Sequence, residues 1–150
     1  MSDYDVCEAL ADEFSRNFSS PSTVTVSIDS TSDSKFQVDI SMQSLLQVLR
    51  DLPNSAAGPD GIPAAVYKRL APILAAPLRL IFAQSLMQGV VPAAWKLAKV
   101  MPLYKGKGDR SHPSSFRPIS LTCTACKILE RLVVRSLTCY LQDNNVLHKS

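Results

Sequence analysis

The sequence predicts an α+β fold: mostly helices, with a small antiparallel β ribbon. Three observations lead there. Apolar residues recur at helical spacing through most of the chain. One short run, Val100-Met101-Pro102-Leu103-Tyr104, has strand character, and a glycine-rich turn leads back into Phe116-Arg117-Pro118-Ile119. Finally, 46% hydrophobic and 19% charged residues over 150 positions suit one globular domain or part of a larger one.

In chain order, residues 2–18 read as an amphipathic helix. Ser2 can cap it, and Asp3 and Asp5 suit the positive end of its dipole. Val6, Leu10, Phe14 and Phe18 recur every four residues, the stripe of a helix resting on a core. Residues 19–35 (SSPSTVTVSIDSTSDSK) show no such stripe and read as a Ser/Thr-rich linker, with a weak extended stretch at Val24, Val26 and Ile28. The domain boundary is placed there, dividing residues 1–35 from 36–150. Helical period returns from Asp39 to Leu52, capped by Ser41 or Asp39. Leu45, Leu49 and Leu52 line one face, with Leu46 and Val48 beside them, and Pro53-Asn54 stops the helix.

Gly58-Pro59-Asp60-Gly61 is a compact turn, and Pro63 suits the first position of a helix carrying Val66, Tyr67 and Leu70. Pro72 should interrupt that helix and Pro77 begin the next. The buried face of this next helix is Leu78, Ile81, Phe82 and Leu86, with Ser85 beside them, and Gly89 caps its end. Trp95, the only tryptophan, sits in the link before the strand, as a core anchor or as a stacking platform for a base. Val100, Met101, Leu103 and Tyr104 suit a half-buried strand, and Pro102 gives it an edge position. Thr122 can cap a last helix, from Cys123 to Gln142, with Cys126, Leu129, Val133, Leu137 and Tyr140 or Leu141 at helical spacing.

The net charge of +3 is unevenly spread. Residues 1–40 carry Arg16 and Lys35 against eight acids, a balance of −6, and residues 41–150 carry the other 14 Lys and Arg against 5 acids, a balance of +9. That asymmetry marks the body as the part to meet nucleic acid. Gly106 and Gly108 are free to take φ > 0 at the tip of the ribbon, which would gather Lys105, Lys107, Arg110 and Arg117 into one basic hairpin attractive to polyphosphate. Lys127, Arg131 and Arg135 fall at i, i+4 and i+8 of the last helix, either a solvated face or a backbone-binding stripe.

Cys123 and Cys126 have the C-x-x-C spacing of half a zinc site, but Cys7, Cys139, His112 and His148 offer no matching second pair. Buried thiols are the expectation, and no metal ligands are assigned. Nothing resembles a secretory signal, and no apolar run approaches the ~20 residues of a membrane span. Reduced thiols and an intracellular location, nucleus or cytoplasm, are expected.

Four blocks, in this order, carry a family resemblance: SAAGPDGIPAAVYKRL (55–70), GVVPAAWKLAKV (89–100), VMPLYKGKGDRSHPSSFRPISL (100–121) and CKILERLVVRSL (126–137). Together they resemble the first part of the reverse transcriptases of non-LTR (LINE-type) retrotransposons, over roughly residues 36–150. The wording ALADEFSRNFSSP looks like the segment that precedes the polymerase in such elements. The resemblance implies the N-terminal fingers part of a right-hand polymerase, truncated before the palm. It implies RNA template, RNA/DNA hybrid and deoxynucleoside triphosphate as partners in the full-length enzyme, and Mg²⁺ as its cofactor.

By the same resemblance, Lys105 and Arg117 match the residues that grip the incoming triphosphate. Positioned Lys and Arg do stabilise charge developing on phosphoryl oxygens. Lys107, Arg110, Lys127, Arg131 and Arg135 are candidate backbone contacts. Gly58, Asp60 and Gly61 form either a structural turn or a template contact through exposed amides. The family's palm carboxylates, an F-x-D strand and an aromatic-x-Asp-Asp turn, are absent: after residue 60 the acids are Asp109, Glu130 and Asp143. No catalytic residue is therefore assigned, and the chain alone is expected to be inactive. A non-catalytic nucleic-acid-binding remnant is the rival reading, and a helical protein-interaction domain is a third.

Overall fold

Three helices build the core, and the shortest of them lies at its centre. Helix α2 (Met42–Arg50) begins where the Ser41 hydroxyl accepts the Ser44 N–H at 3.3 Å. The Asp39 carboxylate accepts the Ser41 N–H at 2.9 Å and the Ser44 hydroxyl. Both residues proposed as caps thus act together, and these bonds hold the Asp39 carboxyl below its ordinary range, the Ser44 hydroxyl contributing most. Leu45 and Leu49 are fully buried, with Val48 and Leu52 beside them, and α2 packs against both α4 (Ala71–Gln88) and α5 (Thr124–Asp143). Phe82, Ile128 and Leu132 complete this core, and α3 (Ala64–Arg69) adds Tyr67.

The computed structural model describes residues 3–18 and 36–146. The expected Ser2 cap and the linker at 19–35 lie outside them. Beyond the helices above, the described residues contain α1 (Asp3–Phe18), a 3₁₀ turn at Ala93–Lys96, strand β1 (Ala98–Tyr104), a second 3₁₀ turn at Pro113–Ser115 and strand β2 (Phe116–Thr122). The strands pair as a two-stranded antiparallel sheet, so the architecture is the expected one, mostly helical with one β ribbon. The described residues divide into two units: α1 with Val100–Ser120, and 36–99 with 121–146. In the first, α1 packs on the Pro113–Ser115 turn and buries Phe14, while Val6 stays exposed.

Several elements differ from expectation. Pro72 does not interrupt a helix: it lies in the first turn of α4, where a missing N–H costs nothing. Pro77 lies inside α4 rather than starting it. The stripe Ala71, Ala75, Leu78, Phe82 and Ser85 is buried continuously across that proline, so tertiary packing holds the helix together despite one missing backbone bond. Ile81 and Leu86 are exposed, whereas Ser85 is inside as expected, its hydroxyl satisfied by donating to Val90 O at 2.7 Å. Gly89 caps α4 in the left-handed region, φ 65°, as expected. Pro63 is the N-cap of α3 rather than its first residue.

Strand β1 is not half-buried. Val100, Met101 and Leu103 are all exposed, because a two-stranded ribbon leaves both strands as edges. Thr122 is the last residue of β2, not a helix cap; Cys123 occupies the N-cap of α5 without a side-chain bond to the helix. The buried face of α5 is Thr124, Ala125, Ile128, Leu129 and Leu132, turned from the expected stripe so that Cys126 and Val133 are half-buried and Leu137 is exposed.

Candidate nucleic-acid interface

The chain between β1 and β2 is closed by backbone and side chain together. Lys105 N–H donates to Ser115 O at 2.9 Å, and the Lys105 ammonium donates to Ser114 O at 2.6 Å. Gly106 and Gly108 both adopt positive φ, 80° and 87°, which lets the loop turn sharply on either side of Lys107. Cross-strand Tyr104 and Phe116 meet edge to face at 5.7 Å. Beyond them, the Arg110 guanidinium lies over the Tyr104 ring at 4.7 Å, and the Tyr104 hydroxyl donates to Gly108 O at 2.6 Å.

All four hairpin cations, Lys105, Lys107, Arg110 and Arg117, are exposed. The one acid of the loop, Asp109, is engaged locally: it accepts the Ser111 N–H at 2.9 Å and sits 3.4 Å from His112 Nδ1. The Ser111 hydrogen bonds, with His112 a smaller influence, hold its carboxyl below the usual range. It therefore stays ionised while the surrounding charge remains net positive. Exposed cations on one hairpin attract phosphate through charge.

The second cationic feature, on α5, belongs to the other unit. Lys127, Arg131 and Arg135 line a shallow hollow of about 460 Å³ with Glu130 and Val134. Glu130 accepts a hydrogen bond from the Cys126 thiol at 3.4 Å, and burial with this carboxylate neighbour pushes that thiol up to about 11. Cys123 is buried, its thiol 3.6 Å from Ala94 O. Among the described residues, no three His, Cys, Asp or Glu side chains come together as a metal site.

In the Gly58–Gly61 turn, Gly61 N–H donates to Gly58 O at 3.1 Å, and Asp60 accepts the Ile62 N–H at 3.2 Å. Gly58 is buried, whereas Pro59, Asp60 and Gly61 are exposed. Trp95 packs edge-on against Phe82 at 5.8 Å and is half-buried, the anchor arrangement of its two readings.

No protein-family model matches the chain. Curated relatives do. The chain is 28% identical over 109 residues to the "Probable RNA-directed DNA polymerase from transposon BS" of Drosophila melanogaster, covering 72% of this chain and 12% of that protein. It is 27% identical over 143 residues to the "RNA-directed DNA polymerase from mobile element jockey" of the same species, covering 88% and 16%. Against the "Retrovirus-related Pol polyprotein from type-1 retrotransposable element R1" of Bradysia coprophila the identity is 32% over 90 residues, covering 59% and 9%. The chain is a homologue of non-LTR (LINE-type) reverse transcriptases. It spans only about 9 to 16% of the length of these relatives.

In this reverse-transcriptase homologue, sequence reasoning found the hairpin cations but missed the Arg110–Tyr104 stack. Periodicity carries no information across a loop of glycines. The one signal in the sequence was the placement of two aromatics, Tyr104 and Phe116, at the two ends of a basic turn. Among the described residues no helix is long and apolar enough to cross a membrane.

Proposed function

We propose that this chain is the N-terminal fingers segment of an RNA-directed DNA polymerase, contributing contacts to template and to incoming nucleotide. The observation that carries this reading is the hairpin. Three exposed cations, Lys105, Lys107 and Arg110, stand on one glycine-rich loop whose single carboxylate is engaged by its own neighbours, and a fourth, Arg117, is exposed on the strand that follows. Lys105 uses one of its three ammonium protons on Ser114 O, so two remain for a triphosphate. Arg117, exposed on β2, supplies the planar fork that suits bidentate phosphate contact. Lys107 and Arg110 meet the template backbone, as do Lys127, Arg131 and Arg135 on α5. Asp60 and Gly61 are exposed and offer a further template contact, although the Gly61 N–H is already given to Gly58 O, and Gly58 serves that turn by packing.

Nucleotidyl transfer requires two divalent metals clamped by carboxylates. The described residues of this chain do not fit that requirement, since their acids form no cluster. We assign Mg²⁺ to the palm aspartates that the resemblance implies for the full-length enzyme, and no catalytic step to the described residues of this chain.

The test is equilibrium binding of the 150-residue chain to a labelled single-stranded RNA at several salt concentrations. Affinity should fall along a straight line of log K against log[salt], with a slope of about −0.7 per phosphate neutralised. Binding that ignores salt, or no binding at low salt, would overturn the reading.

A further inference from the structure

We propose that the Arg110–Tyr104 pair is a stacking site for an unpaired nucleobase of a single-stranded nucleic acid. This rests on the nucleic-acid reading of the hairpin and adds to it a contact with bases rather than phosphates.

The pair is held firmly. The Tyr104 ring is fixed at its hydroxyl by Gly108 O, at 2.6 Å, and along one side by Phe116, edge to face at 5.7 Å. Arg110 lies over that ring at 4.7 Å and is itself exposed. The ion pairs seen among the described residues, Arg16–Glu13 and His112–Asp109, do not involve it. The nearest carboxylate in sequence, Asp109, is turned to Ser111 and His112. Seating a cation on an aromatic face does more than aim its charge at phosphate. Seating it there has two effects: it removes rotamer freedom before any ligand arrives, and it offers a delocalised guanidinium surface beside the strand's path. Bases stack on aromatic rings and on such guanidinium surfaces without regard to their hydrogen-bonding edges.

The loop thereby separates two tasks. Lys107, between two glycines in the left-handed region, is a point charge on a flexible stem for the backbone. Arg110, whose charge also serves the backbone, forms with Tyr104 a prearranged surface for a base. The ligand class is any single-stranded RNA or DNA, with no base identity read.

The experiment compares a single-stranded RNA of about 12 nucleotides with an abasic strand of equal phosphate number, using fluorescence anisotropy on the 150-residue chain. The wild type should bind the abasic strand roughly five- to tenfold more weakly. Arg110→Lys keeps the charge and loses the guanidinium. It should weaken binding to the base-containing strand by a similar factor, leave the abasic strand unaffected and leave the salt slope unchanged. Tyr104→Leu should do the same; if it unfolds the hairpin, Arg110→Lys carries the test. Lys107→Ala should instead weaken both strands equally and flatten the slope. Equal affinity of the wild type for both strands overturns the stacking site alone, as does an Arg110→Lys variant that loses equally on both. Failure of the wild type to bind either strand overturns the nucleic-acid reading of the hairpin, and the stacking site with it.

Discussion

Thr122 passes so close to Gly58 that a methyl group at Gly58 would lie 2.6 Å from the Thr122 carbonyl carbon and oxygen, and 2.7 Å from the next backbone nitrogen. Gly58 opens the turn and Thr122 lies before α5. Their contact, together with the Thr124 hydroxyl donating to Ile62 O at 3.1 Å, ties the two segments to each other.

Gly58→Ala should therefore destabilise the chain by about 1–3 kcal/mol, since backbone on both sides must move. Gly61 adopts φ +71° in open space, so Gly61→Ala should cost only the left-handed penalty of about 1 kcal/mol. Urea denaturation of the two variants checks the order. A Gly61→Ala variant as unstable as Gly58→Ala would contradict the close approach.

Asp39 supplies a pH dependence. Its folded carboxyl is held below the ordinary range, by the Ser44 hydroxyl first and the Ser41 N–H second. The stabilisation is thus present above the unfolded value and is lost as pH falls through the lowered folded value. Melting temperature followed from about pH 5 down to about pH 2 should drop more for the wild type than for Asp39→Asn. Parallel curves would show that Asp39 contributes nothing through its charge.

The helical part of this fold was legible wherever burial followed a single stripe. Leu45, Leu49 and Leu52, the stripe read for α2, are inside as expected, because a short amphipathic helix has only one apolar face to bury. Helix α4 was misread at Pro72 and Pro77 because it is apolar almost all round. Its own pattern does not say which side packs, and proline alone suggested a boundary that Phe82 and Ala75 override. On α5, half-buried Cys126 and Val133 compete with fully buried Ile128 and Leu132 for the same helical spacing, and only the position of α2 decides between them. The hairpin cations were visible as residue types, but the Tyr104–Arg110 stack depends on loop geometry that spacing does not encode.

The four thiols should divide in reactivity. Cys7 and Cys139 are exposed, Cys123 is buried, and burial beside Glu130 raises the Cys126 thiol to about 11. Since the thiolate is the reactive form, a disulfide reagent at about pH 8 should label two thiols quickly and two slowly. Mass mapping should place the fast pair at Cys7 and Cys139. Rapid labelling of Cys126 would contradict its environment.

Purified to homogeneity, the 150-residue chain should incorporate no nucleotide on a primed RNA template with Mg²⁺ or Mn²⁺, because the described acids form no cluster able to hold two metals. Template-dependent incorporation that survives purification and disappears on chelation would show that carboxylates of this chain do hold the metals.

The central claim is that the hairpin, rather than the general positive charge of the body, meets nucleic acid. It is tested most directly by the salt dependence of single-stranded RNA binding in two double variants. Lys105→Ala with Lys107→Ala should lower affinity and flatten the slope of log K against log[salt] by roughly one to two units. Lys68→Ala with Arg69→Ala removes the same charge from α3 and should do markedly less. Arg117→Lys, which keeps its charge, should leave this binding nearly unchanged. Equal losses from the hairpin pair and the α3 pair would show diffuse attraction to a basic body and would remove the hairpin from its assigned role.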